Sequence, residues 1–260
     1  MTAPVLSYNP LMYALKHFWQ STIGKKIVMA VTGIVGILFV IGHMSGNLLM
    51  FKGQDAMHHY ALLLRTSMPL LYAVRAVLLV SVVLHAISAY QLAMLSRAAR
   101  PQDYLQRRPQ VTTFAARTIR WGGVLLLVFI VFHLLQLTLG VVHPDYRELD
   151  PYHNVLSGLS NPLIAAFYVL AMLALALHLY HGTWAAVRTL GVARPATFPL
   201  KRTLALVLAV IVAAGFILIP LATVGGLFPD APPVAEPTVT GTTMTAQPAP
   251  TASLRSREMH

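Results

Sequence analysis

The sequence predicts an all-α membrane protein, a bundle of five transmembrane helices with its amino terminus in the cytoplasm and its carboxyl terminus outside. Three observations carry that prediction. Hydrophobic residues make up 57% of the 260 and charged residues only 10%, with a positive mean hydropathy, whereas a soluble domain carries roughly one charged residue in four. The apolar residues gather into five runs, long enough at ~1.5 Å per residue to cross a hydrocarbon core of ~30 Å. The lysines and arginines behind the net charge of +11 sit at the ends of those runs rather than on one polar face. They therefore read as topology signals, and nucleic acid is not an expected partner.

Residues 1–26 form a cytoplasmic or interfacial segment, with Phe18 and Trp19 ahead of Lys25 and Lys26 and no cleavable signal pattern. The five-helix domain spans 27–224. Span one is 27–50, and a loop over 51–68 follows. Span two is 69–94, with Arg75 as its one charge. The next connection holds six arginines from Arg97 to Arg120 against one acid, the strongest orientation signal in the chain. Span three is 121–142, and the loop after it has three acids against one arginine. Span four is 162–184 and exits through Arg188, Arg194, Lys201 and Arg202. Span five is 204–221, with Pro220 near its end. Basic loops after spans two and four belong in the cytoplasm, and an odd number of spans then sets the two termini on opposite sides. Residues 225–260, rich in Pro, Thr and Ala with few apolar anchors, predict a disordered external tail.

Four of the spans each carry one deep histidine: His43, His85, His133 and His178. An ionisable side chain inside a span is costly and by default marks a functional site. His43 lies nine residues before Lys52 and His133 ten before His143, roughly 13 to 15 Å of helix rise. His85 and His178 each lie sixteen residues beyond the proline that opens their span, Pro69 and Pro162, roughly 24 Å in. Depth therefore pairs His43 with His133 and His85 with His178. No carboxylate or thiolate lies at those depths to build a zinc or non-haem iron site, and the cysteine count of 0 excludes disulfides, cysteine-ligated clusters and covalently attached c-type haem. Two imidazoles per level suit haem b, giving two haems with both axial positions filled, which implies electron transfer rather than oxygen chemistry.

Small residues beside the ligands leave room for a porphyrin: Ala171, Ala174, Gly182 and Ala185 near His178; Gly36 and Gly46 near His43; Ser81, Ser88 and Ala89 near His85. His133 is the exception, with Phe129 and Gln136 beside it and only Gly140 small. Close helix packing explains small residues equally well on any one helix. His181 breaks the depth match and reads as structural. His58, His59, His143 and His153 fall in outer loops and read as solvated. Arg75 and Arg188 are candidates to neutralise haem propionates, against plain snorkelling or topology roles.

The stretches IGHMSGNLL around His43, VVLHAISAY around His85, VFHLLQ around His133, and NVLSGLSNP followed by HLYHGTWAAVRTLG around His178 resemble the five-helix diheme cytochrome b membrane anchor of succinate dehydrogenase and fumarate reductase. The resemblance covers residues 15 to 195. It implies His43, His85, His133 and His178 as axial ligands of two haems b, and selects His178 over His181. It further implies a flavoprotein subunit and an iron–sulfur subunit on the cytoplasmic side, a quinone as redox partner, menaquinone by expectation, and the cytoplasmic membrane of a prokaryote. Some quinol-oxidising members carry protons on a glutamate next to the fourth-helix ligand; here Ala176 and Leu177 precede His178, so that path is not expected. Asp55, His58 and His59 in the first outer loop are the candidates for the quinone end. A cytochrome b serving a hydrogenase or formate dehydrogenase, and a proton-binding transporter without haem, are the competing readings.

Overall fold

A computed structural model describes residues 9–99, 114–192, 194–230 and 232. Much of the arginine-rich connection and most of the carboxyl-terminal tail, over which disorder was expected, lie outside them. The described residues are helical, with no strand among them. Five helices are long and apolar enough to cross a membrane, which makes this a multi-pass membrane protein by length and composition.

Three helices start with a proline preceded by a capping side chain, because proline at the first turn gives up no needed N–H and the cap accepts from the orphan donors. Helix α1, Pro10–Gln20, begins at Asn9, whose side chain accepts from the backbone N–H groups of Leu11 and Met12. Helix α2, Thr22–Asn47, follows after a single residue and runs on as a 3₁₀ turn, Leu48–Lys52. The elbow between α1 and α2 is locked by Lys25. Read as an interfacial charge, it is only 7% exposed, and its Nζ donates to the carbonyls of Trp19 at 2.7 Å and Gln20 at 2.9 Å. A cation is thus placed on the negative end of α1.

The first outer loop expected from sequence is largely a helix, α3, Gln54–Arg65. Met57 and Ala61, four residues apart, supply its buried stripe, and Gly53 at φ 96° makes the turn into it. Span two is α4, Met68–Ala98. Span three is α5, Phe114–His133, continued by a π turn, Leu134–Thr138. The acidic outer loop likewise contains a helix, α6, Pro151–Leu159, capped by Asp150. Span four is α7, Pro162–Thr189, capped by Asn161, and span five is α8, Phe198–Val224, longer than the apolar run alone suggests. Past α8 the chain turns back on the end of the bundle that carries α6. Phe228 is buried against Phe51 and Tyr152, and the Tyr152 hydroxyl donates to the Pro229 carbonyl at 3.0 Å.

The packing of the spans decides where a site can be. Helix α2 packs on α4, α7 and α8, and α7 packs on α2, α5 and α8. Helices α4 and α7 make no extended contact with each other, nor do α2 and α5. The α2–α7 seam is therefore central, and a gap opens on either side of it. The end of the bundle that carries α3 and α6 is closed by a polar cap of these two helices and the flanking turns. Asp150, 3% exposed, accepts from the His153 backbone N–H at 3.1 Å and from the Gln54 amide at 2.9 Å.

Candidate functional site

The histidines reach across those two gaps. His43 on α2 meets His133 on α5 with ring centroids 5.8 Å apart and planes at 81°. His85 on α4 meets His178 on α7 at 5.9 Å and 54°. The structure thus brings together the same two couples that depth counting pairs.

All four rings have surroundings that bear on their chemistry. His85 Nδ1 lies 3.0 Å from the Met29 carbonyl and 3.2 Å from Thr32 Oγ1, while the Thr32 hydroxyl itself donates to the Val28 carbonyl. A carbonyl can only accept, so Nδ1 carries the proton and Nε2 keeps the lone pair that a metal needs. His133 Nδ1 lies 3.4 Å from the Tyr168 hydroxyl. Phe39 stacks on His43 at 5.2 Å and 11°. Among the described residues, His178 Nδ1 is buried without a hydrogen-bond partner, as are Ser88 Oγ, Gln91 Oε1 and Thr183 Oγ1. Buried polar groups are normally paired, so an imidazole nitrogen left so in an apolar helix marks a place of interest.

Space beside the histidines is consistent with a flat group. A Cβ built on Gly36, seven residues from His43, or on Gly182, four from His178, meets nothing within 4 Å. Two other small residues have different jobs. At Gly46 a Cβ would meet the Tyr60 ring at 2.6 Å, so that glycine admits Tyr60. Gly140, at φ 69°, lies past the end of the π turn and packs on Tyr146, whose ring a Cβ would meet at 2.5 Å. His133 is left with Phe129 and Gln136.

Among the described residues no three His, Asp or Glu side chains converge as a metal-ion site. Each level offers two imidazoles and no more. The remaining sequence candidates lie apart from the gaps. Arg75 is exposed in the second turn of α4 beside Tyr72, 5.9 Å from its ring centre, and Arg188 is exposed over the Trp184 ring at the same separation. Asp55 and His59 are exposed on α3, while His58 is half-buried with Nδ1 3.1 Å from the Leu149 carbonyl.

Two outer histidines expected to be solvated are instead structural. His153 is 8% exposed and its Nε2 lies 2.9 Å from the Asp145 carboxylate. His143 donates from Nε2 to the Asn154 carbonyl at 2.8 Å and accepts the Asp145 backbone N–H at 3.0 Å. Sequence reasoning missed Met29, Thr32 and Tyr168 as neighbours of the deep rings, and took Gln136 only as crowding. A glutamine in the middle of an apolar run was the available signal, since such a group is retained only where it is bonded. Compared with known proteins, the chain matches no family model, no curated protein and no solved structure.

Proposed function

We propose that the chain is the membrane anchor and electron-transfer subunit of a succinate:quinone oxidoreductase of the succinate dehydrogenase and fumarate reductase type. One haem b sits between His43 and His133 near the outer end, and a second between His85 and His178 closer to the cytoplasm. The observation that carries this reading is the pair geometry: rings 5.8 Å and 5.9 Å apart, on helices that do not otherwise pack together. Two imidazoles on one iron, with metal–nitrogen bonds of about 2.0 Å, have ring centres roughly 6 Å apart. A porphyrin brings four equatorial nitrogens, so two protein ligands at each level suffice.

When bound, the two haems supply one-electron transfer between an iron–sulfur partner at the cytoplasmic end and a quinone at the outer end. The chain's own residues do the rest. Met29 and Tyr168 orient ligand rings, Gly36 and Gly182 leave room beside them, and apolar helix faces keep water out. Basic residues at the ends of α4, α5, α7 and α8 support an amino terminus in the cytoplasm, where the iron–sulfur and flavoprotein subunits dock, and a carboxyl terminus outside. The membrane is then the cytoplasmic membrane of a prokaryote. Asp55, His58 and His59 offer protonatable groups for quinone, with menaquinone the expected species, and Arg75 and Arg188 are the basic groups available to propionates.

The test is haem stoichiometry, from reduced-minus-oxidised spectra of the purified chain and its variants. His85→Ala and His178→Ala should lose one and the same haem, and His43→Ala and His133→Ala the other. A wild-type chain with no haem absorption would overturn the reading. Co-purification with a succinate-oxidising flavoprotein separates it from a hydrogenase or formate dehydrogenase cytochrome.

A further inference from the structure

His133 is the end of a buried polar column that reaches the outer cap. The Tyr168 hydroxyl, 3.4 Å from His133 Nδ1, donates to Gln136 Oε1 at 2.8 Å, and Gln136 Nε2 donates to the Gly158 carbonyl on α6 at 2.8 Å. Gln136 is 0% exposed and Tyr168 7%. The far end dictates the direction of every bond. The Gly158 carbonyl can only accept, so the amide nitrogen faces it and Oε1 takes the Tyr168 hydrogen. The phenolic oxygen is left to accept from His133 Nδ1–H, which puts the lone pair of the neutral ring on Nε2.

The surrounding sequence is shaped to allow this. The π turn Leu134–Thr138, a geometry that recurs at functional sites, carries Gln136 into contact with Tyr168 across the α5–α7 interface. Gly158 lets α6 come close enough to receive the bond: a Cβ there would meet Gln136 Nε2 at 3.0 Å and His143 Nε2 at 2.9 Å. At the other pair, by contrast, the orienting contacts of His85 come from within α2, the Met29 carbonyl and Thr32.

We infer that Tyr168 and Gln136 are positioning residues for the outer histidine pair, holding His133 as an Nε2 ligand and tuning the group it binds through its Nδ1–H. This rests on the reading of the four histidines as haem ligands. A hydrogen bond accepted from the distal nitrogen raises the basicity of a ligating imidazole and favours the oxidised metal.

The experiment uses the purified full chain with both haems, titrated potentiometrically while the low-spin ferric signals are followed by electron paramagnetic resonance. The outer haem is assigned as the one absent from His133→Ala. In Tyr168→Phe its potential should rise and its ferric signal move, with the inner haem unchanged. Tyr168→Phe leaves Gln136 Oε1 without its donor, so Tyr168→Phe/Gln136→Met, which removes the column as a unit, provides the second measurement and should give the same shift. Unchanged potentials, or equal shifts of both haems, would overturn the inference while leaving the ligand reading intact. A wild-type chain without haem would instead overturn the ligand reading itself.

Discussion

Gly182 gives a test in which two readings of the same space differ in sign. It lies one turn past His178 on the same side of α7, and a Cβ there meets nothing within 4 Å. Were the space a plain void, Gly182→Leu would fill it. Removing a mid-helix glycine returns about 1 kcal/mol and burying a leucine about 1.5–3 kcal/mol, so the variant would gain roughly 2.5–4 kcal/mol. If the space instead receives the flank of a haem, the new side chain overlaps the cofactor. Overpacking costs about 1–3 kcal/mol, which lowers inner-haem affinity about five- to 150-fold. The second outcome is expected. Haem per chain and thermal unfolding in detergent are measured together: the ratio should fall from two towards one with the His43–His133 haem retained, and Gly182→Ala should lie between. A Gly182→Leu chain that keeps both haems and melts higher would refute the argument.

The polar cap and the proposed quinone end yield three further expectations. Asp150→Ala removes both a helix cap worth about 1 kcal/mol and a buried charge-assisted bond to Gln54 worth about 1.5–3 kcal/mol, so unfolding in denaturant should show a loss of roughly 2.5–4 kcal/mol. Asp150→Asn should recover most of the cap. Burial, and then the nearby Asp230 carboxylate, push the Tyr152 phenol above its ordinary value of about 10. The unfolded chain therefore gives up that proton first as pH rises, so stability is fully present below about pH 10 and falls above it; melting curves across that range should show a decline that Tyr152→Phe abolishes. Asp55→Asn/His59→Gln, which leaves the His58–Leu149 contact in place, should slow quinone reduction by the purified complex tenfold or more; an unchanged rate would move the quinone elsewhere.

Spans and the pairing of the histidines were legible because both follow from local pattern. Apolar runs mark the helices, and Pro69 and Pro162 serve as rulers for His85 and His178. What escaped was set by bonds between distant segments. Met57 and Ala61 make too short a stripe to distinguish α3 from a loop, and the contacts that pin it, such as Gln54 to Asp150, come from 96 positions away. His143 and His153 look like solvated loop residues until the backbone of Asp145 closes on both. Lys25 resembles any positive charge at a membrane edge, yet it is turned back onto α1. Gly140 and Gly46 share the small size that a cofactor face needs, but they make room for Tyr146 and Tyr60. Size alone cannot distinguish space left for a ligand from space left for a neighbouring side chain.

The two gaps are not independent, because the seam between α2 and α7 serves both. Helix α2 contributes His43 to one pair and, through the Met29 carbonyl and Thr32, orients His85 of the other. Helix α7 contributes His178 to one pair and, through Tyr168, touches His133 of the other. Helices α4 and α5 each bring a single ring from outside. In lipid no hydrophobic force draws helices together, so a gap persists only where side chains or a bound group hold its walls apart. Here the walls are spanned at one level each by facing imidazoles, and both walls share the α2–α7 frame. A shift of α2 against α7 therefore changes a histidine in one pair and the orienting partner of a histidine in the other, whereas a shift of α4 or α5 changes one pair alone.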